Sequence, residues 1–171
     1  MLVRNEIIIK WTIYAATTIL CFFIQGSLCL RITLWGVIPF LFPMLAAIPA
    51  TFESPVPATI FSLCLGIVCD SLLPEPIPCF YTLIFPIVGL VSSILAQSLL
   101  PAGFLCSLIV TAVAFLFTDL FRCLLLSMAG NTTVWTSGLF ILLREFLITL
   151  PFLFPVTLLY RAVFRKTHMY D

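Results

Sequence analysis

Apolar residues in this chain come in long blocks, separated by short polar or proline-rich punctuation. A helix needs about 20 mostly apolar residues to cross roughly 30 Å of hydrocarbon. On that ruler the pattern predicts six spans: Ile8 to Leu30, Leu34 to Phe52, Ala58 to Leu73, Cys79 to Leu99, Gly103 to Ala129 and Val134 to Phe164. The expected architecture is an all-α membrane protein, one integral domain over residues 1–171, built as a bundle of about six transmembrane helices.

The second block carries Pro39, Pro43 and Pro49, each of which removes a backbone donor and kinks or breaks a helix. Such breaks survive in a membrane only where neighbours or water satisfy the freed groups. This block is therefore expected to be bent or partly re-entrant, and packed inside the bundle. The third is short and bracketed by Pro55, Pro57 and Pro74. The sixth exceeds a single crossing, which predicts a tilt or an interfacial start around Trp135. The connections are brief: Glu53-Ser54-Pro55, Pro74-Glu75-Pro76-Ile77-Pro78, Pro101 and Gly130-Asn131-Thr132-Thr133. Short loops force sequential spans to run antiparallel and adjacent.

Composition agrees, with 63% hydrophobic and 9% charged residues, where a soluble domain carries about a quarter charged. A net charge of +1 offers no basic face to nucleic acid. Seven cysteines include no C-x-x-C and have no nearby histidine, so they read as small hydrophobes. The first block is long for a signal peptide and no A-x-A site follows, which predicts a retained span. Arg4 and Lys10 precede the first span, and Arg161, Arg165 and Lys166 follow the last; Arg31 is the one basic residue in a loop. That bias predicts cytoplasmic termini and a multi-pass protein of a bacterial cytoplasmic (inner) membrane.

Four charges fall within the last two blocks: Asp119, Arg122, Arg144 and Glu145. An ionisable group in the membrane costs several kcal/mol unless it is paired, hydrated or turned toward protein. With a hairpin turning near Thr132, Asp119 lies thirteen residues before the turn and Arg144 twelve after, which predicts nearly equal depth close to mid-bilayer. The expected contacts are Asp119–Arg144 across the hairpin and Asp119–Arg122 along it. Three roles fit such a cluster: fixing helix rotation, meeting a partner's membrane helix, or carrying a proton or ion.

Ser62, Gly66 and Asp70 recur every four residues and share one helical stripe. Small residues at that spacing let another helix approach closely. They are the candidate partner contacts, with Asp70 near the outer surface. There is no H-E-x-x-H, no Walker-type glycine loop and no serine with a histidine partner. Intramembrane proteolysis wants facing aspartates, and Asp70 and Asp119 are expected to differ in depth by most of a leaflet. No catalytic, cofactor or metal residues are assigned.

The segment from Ser62 to Asp70 resembles the G-x-x-x-G-x-x-x-D stretch of the rod shape-determining MreD family. A proline-bearing second span, Asp119 midway along the fifth, Trp135 before the last and Pro151 within it extend the resemblance along the chain. Ser62 replaces the first glycine, a proline-rich segment replaces the usual glycine turn, and Arg144-Glu145 replaces a more neutral stretch. The resemblance implies a non-enzymatic scaffold of the bacterial cell-elongation machinery, supporting rod shape and lateral peptidoglycan synthesis. It also implies MreC as the partner, alongside MreB, RodA, a penicillin-binding transpeptidase and membrane lipid. The family fold is similar to that of the substrate-binding subunits of energy-coupling-factor vitamin transporters, which makes such a subunit the alternative. That alternative wants a polar, outward-opening pocket, and the chain offers two glutamines and short outer loops.

Overall fold

A computed structural model describes residues 2–27, 31, 36–73, 77–98, 103–128, 130 and 134–168, with 2–7, 134–137, 139 and 166–168 described by backbone alone. The expected turns at Pro74-Glu75-Pro76, Pro101 and Asn131-Thr132-Thr133, with Trp35, Cys29 and the side chains of Arg4, Trp135 and Lys166, lie outside the described residues.

Six helices follow in chain order: α1 (Leu2–Ser27), α2 (Phe42–Ala50), α3 (Pro55–Leu72), α4 (Phe80–Ser98), α5 (Phe104–Met128) and α6 (Val134–His168). Five are long and apolar enough to cross a membrane; α2 is not. The chain is an all-α multi-pass membrane protein. Its polarity runs the opposite way to that of a water-soluble bundle. Phe23, Val56, Met128 and Phe140 are each more than two-thirds exposed, while Ser62, Ser93, Ser107, Thr111 and Thr118 are buried. Lipid tails are as apolar as leucine, so close packing and hydrogen bonding between helices hold such a fold together.

The second predicted span is the one the structure redraws. Its helical part has nine residues, about 13 Å of rise, and is preceded by a non-helical segment from Ile38 to Leu41. Pro43 occupies the first helical turn, where its missing N–H costs nothing. Every residue of α2 is buried, and the helix packs on α3, α4, α5 and α6. It fills the centre of the bundle, as the prolines had led one to expect.

Around this axis α3 and α4 form the tightest hairpin, α5 and α6 another, and α1 lies on α6. Phe52 packs on Phe164 at 5.4 Å while its neighbour Glu53 pairs with Lys10. The start of α1 and the end of α6 therefore share one end of the bundle, the terminal end. Helix α6 continues through Pro151 and Pro155, and its apolar crossing part is Phe140–Arg165.

Candidate functional site

The Ser62–Gly66–Asp70 stripe faces α4 of the same chain. A Cβ on Gly66 would sit 2.6 Å from the Tyr81 carbonyl oxygen, and one on Gly89 would collide with the Ser62 side chain. Each helix thus offers a small residue where the other comes closest. Ser62 is fully buried, and its hydroxyl donates to the Ala46 carbonyl of α2 at 3.1 Å. The close approach anticipated from the spacing is real, but its object is an intramolecular neighbour. This corrects the reading of Ser62 and Gly66 as partner contacts, because no surface is left at either for a second chain.

Asp70 completes the hairpin. Its Oδ1 accepts from the Tyr81 N–H at 3.0 Å, and its Oδ2 accepts from the Thr82 N–H at 2.7 Å and the Thr82 hydroxyl at 2.5 Å. The first N–H groups of a helix have no intrahelical acceptor and carry partial positive charge. A carboxylate from the end of α3 therefore caps the start of α4. Asp70 is committed to this contact.

The charged cluster on α5 and α6 gathers around the same place. Arg122 donates through Nη2 to the Tyr81 hydroxyl at 2.9 Å and brings Nη1 to 3.5 Å from Asp119 Oδ1. Its guanidinium also lies over Phe80 and Phe40, 5.6 and 5.9 Å from the ring centroids. Asp119 is buried and lines a cleft with Leu142 and Leu143 of α6. Glu145 is half-buried and shares a second cleft with Arg122, whereas Arg144 is exposed beside Phe140, Leu143 and Leu147. Adjacent residues on α6 thus address different surroundings, Arg144 outward and Glu145 inward.

The cluster lies nearer the end opposite the termini than the hairpin count implied. Arg122 is level with Phe80 and Tyr81, the residues that open α4. Beyond Arg122, α5 continues six residues to Met128, about 9 Å, so counting back from the turn overstated the depth. Asp70 and Asp119 are correspondingly not separated by most of a leaflet: Asp70 binds Tyr81, and so does Arg122, the partner of Asp119.

Two polar devices escaped the sequence reading. Gln25 of α1 donates through Nε2 to the Pro39 carbonyl at 2.8 Å and accepts the Leu41 N–H at 3.0 Å. Thr149 of α6 accepts the Phe40 N–H at 3.2 Å. Together these satisfy the backbone that the non-helical segment exposes, as a break at membrane depth requires. At the terminal end, Glu53 pairs with Lys10 at 2.5 Å and accepts the Tyr14 hydroxyl at 3.2 Å. Its carbonyl accepts from Ser93 at 2.7 Å and Gln97 at 3.2 Å. Thr18 and Tyr160 share a hydrogen bond of 3.0 Å one turn further in. The signal for Lys10–Glu53 was present: antiparallel spans place both residues at the same end.

Two open clefts of about 420 Å³ each border the end of the bundle opposite the termini. One lies among Gln25, Gly36–Phe40, Phe42, Leu73, Arg122, Ile141 and Glu145. The other is an apolar groove between α1 and α3, lined by Phe22, Phe23, Gly26, Val68 and Leu72 among others. No family model, curated protein or solved structure matches the chain.

Proposed function

We propose that the protein is a non-enzymatic scaffold of the MreD type, which binds MreC in the bacterial cytoplasmic membrane and supports lateral peptidoglycan synthesis. The observation that carries the reading is the position of α2. Met44, Leu45, Ala46, Ala47 and Ile48 are fully buried on the bundle axis, so apolar side chains fill the space through which a carrier or proton pathway would run. The polar side chains instead join helix to helix. Both aspartates are engaged, Asp70 as a cap and Asp119 beside Arg122, which argues against a protease dyad. The basic residues Lys10, Arg161 and Arg165 are gathered toward the terminal end, which supports cytoplasmic termini.

With the α3 stripe committed inside the chain, recognition of MreC falls to the outward side of the α5–α6 hairpin. There Arg144 stands exposed among Phe140, Leu143 and Leu147. A membrane helix bearing an acidic residue at matching depth would be attracted to that guanidinium. Co-purification of tagged MreC tests this: Leu147→Trp and Arg144→Ala should each reduce the yield of complex while leaving the free protein's abundance unchanged. Undiminished recovery with both variants removes the surface from consideration.

The second reading, a vitamin-transporter subunit, has one observation in its favour, the cleft bordered by Gln25, Arg122 and Glu145. Thermal stabilisation by thiamine-like or biotin-like ligands would put it in place of the scaffold.

A further inference from the structure

The cleft beside Arg122 is a built site. At about 420 Å³ it falls within the size range of pockets that hold small molecules, roughly 300–1,000 Å³. It presents one guanidinium and one carboxylate, Arg122 and Glu145, against walls that include Phe40, Phe42, Leu73 and Ile141. The guanidinium is held in place before any ligand arrives, by Tyr81, Asp119 and two aromatic rings. Charges of both signs in an otherwise apolar cleft suit a ligand that carries both signs itself.

Its level in the bundle narrows the class further. Leu73 follows the last residue of α3 and Phe80 is the first of α4, so the cleft sits at the end of two membrane-crossing helices. Lipid headgroups meet the protein at that level. The cleft also adjoins the apolar groove between α1 and α3. Gln25 and Leu73 border the cleft, and their chain neighbours Gly26 and Leu72 border the groove. A polar site and an apolar track side by side match the two halves of an amphiphile.

We propose that this cleft binds the headgroup of a zwitterionic, amine-bearing phospholipid, of the phosphatidylethanolamine kind, with an acyl chain lying in the α1–α3 groove. Arg122 meets the phosphate through charge-assisted hydrogen bonds. Glu145 accepts from the primary ammonium, an N–H donor that choline lacks and that an anionic glycerol head replaces with hydroxyls.

The full-length protein, reconstituted in nanodiscs of equal phosphatidylethanolamine, phosphatidylcholine and phosphatidylglycerol and released for native mass spectrometry, tests this. It should retain phosphatidylethanolamine about tenfold over the other two, the equivalent of one charge-assisted contact. Glu145→Gln should abolish the preference for the amine. Ile141→Trp, which fills the cleft from a partly exposed position without touching a charge, should reduce retention of the lipid while the thermal midpoint holds. Equal retention of the three lipids by the unaltered protein overturns the proposal, as does a preference that survives Ile141→Trp. Stabilisation by soluble phosphoethanolamine without any lipid preference would give the cleft to a water-soluble zwitterion and equally overturn it. No MreC is present in this assay, so it and the scaffold reading stand or fall separately.

Discussion

Asp70 of α3 and Arg122 of α5 hold opposite ends of Tyr81. The carboxylate takes its backbone N–H at 3.0 Å, and the guanidinium takes its hydroxyl at 2.9 Å. One aromatic residue at the start of α4 thereby ties three helices together. Removing the carboxylate strips a helix terminus of its acceptor, whereas removing the hydroxyl costs a single contact. Asp70→Ala should lower stability by about 2 kcal/mol, and Tyr81→Phe by about 1 kcal/mol. Unfolding in mixed micelles measures both, and an Asp70→Ala protein as stable as the parent would refute the capping role.

Gly66→Ala tests the hairpin seam. The added methyl would meet the backbone at Tyr81 and Thr82, which cannot rotate away as a side chain can. We expect a loss of about 1–3 kcal/mol, as for overpacking elsewhere. Gly26→Ala is the control, because nothing lies within 4 Å of that position. There the better helix propensity of alanine should leave stability unchanged or slightly raised. Equal effects at the two glycines would mean that the seam is looser than described.

The support of the α2 approach can be graded. Gln25→Leu leaves both the Pro39 carbonyl and the Leu41 N–H without their acceptor and donor, while Thr149→Val withdraws one acceptor from the Phe40 N–H. At about 1–3 kcal/mol for each buried polar group left unmade, the glutamine variant should be about twice as costly. Cellular abundance and unfolding midpoints should rank in that order, and a reversed order contradicts the assignment.

Lys10 and Glu53 form a largely buried pair, with side chains 17% and 8% exposed. Stranding one charge in such surroundings is worse than removing both. Lys10→Met and Glu53→Gln should each destabilise by about 2–4 kcal/mol, and the double variant should recover part of that loss. A double variant as damaged as the sum of the singles rules out coupling between the two.

Most of the helical ends were legible from hydropathy because each long span is punctuated by proline, glycine or charge. The third and fourth spans, expected at Ala58–Leu73 and Cys79–Leu99, fall at Pro55–Leu72 and Phe80–Ser98. The broken second element was legible too, since three prolines within eleven residues leave no other outcome. What stayed hidden was who touches whom. The spacing of Ser62, Gly66 and Asp70 announces close approach, yet it cannot distinguish a helix of the same chain from a partner's. The depth of Asp119 and Arg122 was misjudged because α5 continues beyond the start of α4. Gln25 and Gln97 were weighed only as ligand donors, whereas they serve the backbone of their own fold, at Pro39, Leu41 and Glu53.

The arrangement around α2 also sets an order of manufacture. Its nine residues cannot enter the lipid phase alone, and the Phe40 amide they follow depends on Thr149, more than a hundred residues downstream. A ribosome has almost finished the polypeptide before that acceptor exists. Until then the nascent second segment must wait at the translocation channel or in the company of an insertase. Premature stop codons ahead of α6 should therefore yield a product destined for membrane proteases, however many complete crossings it already contains.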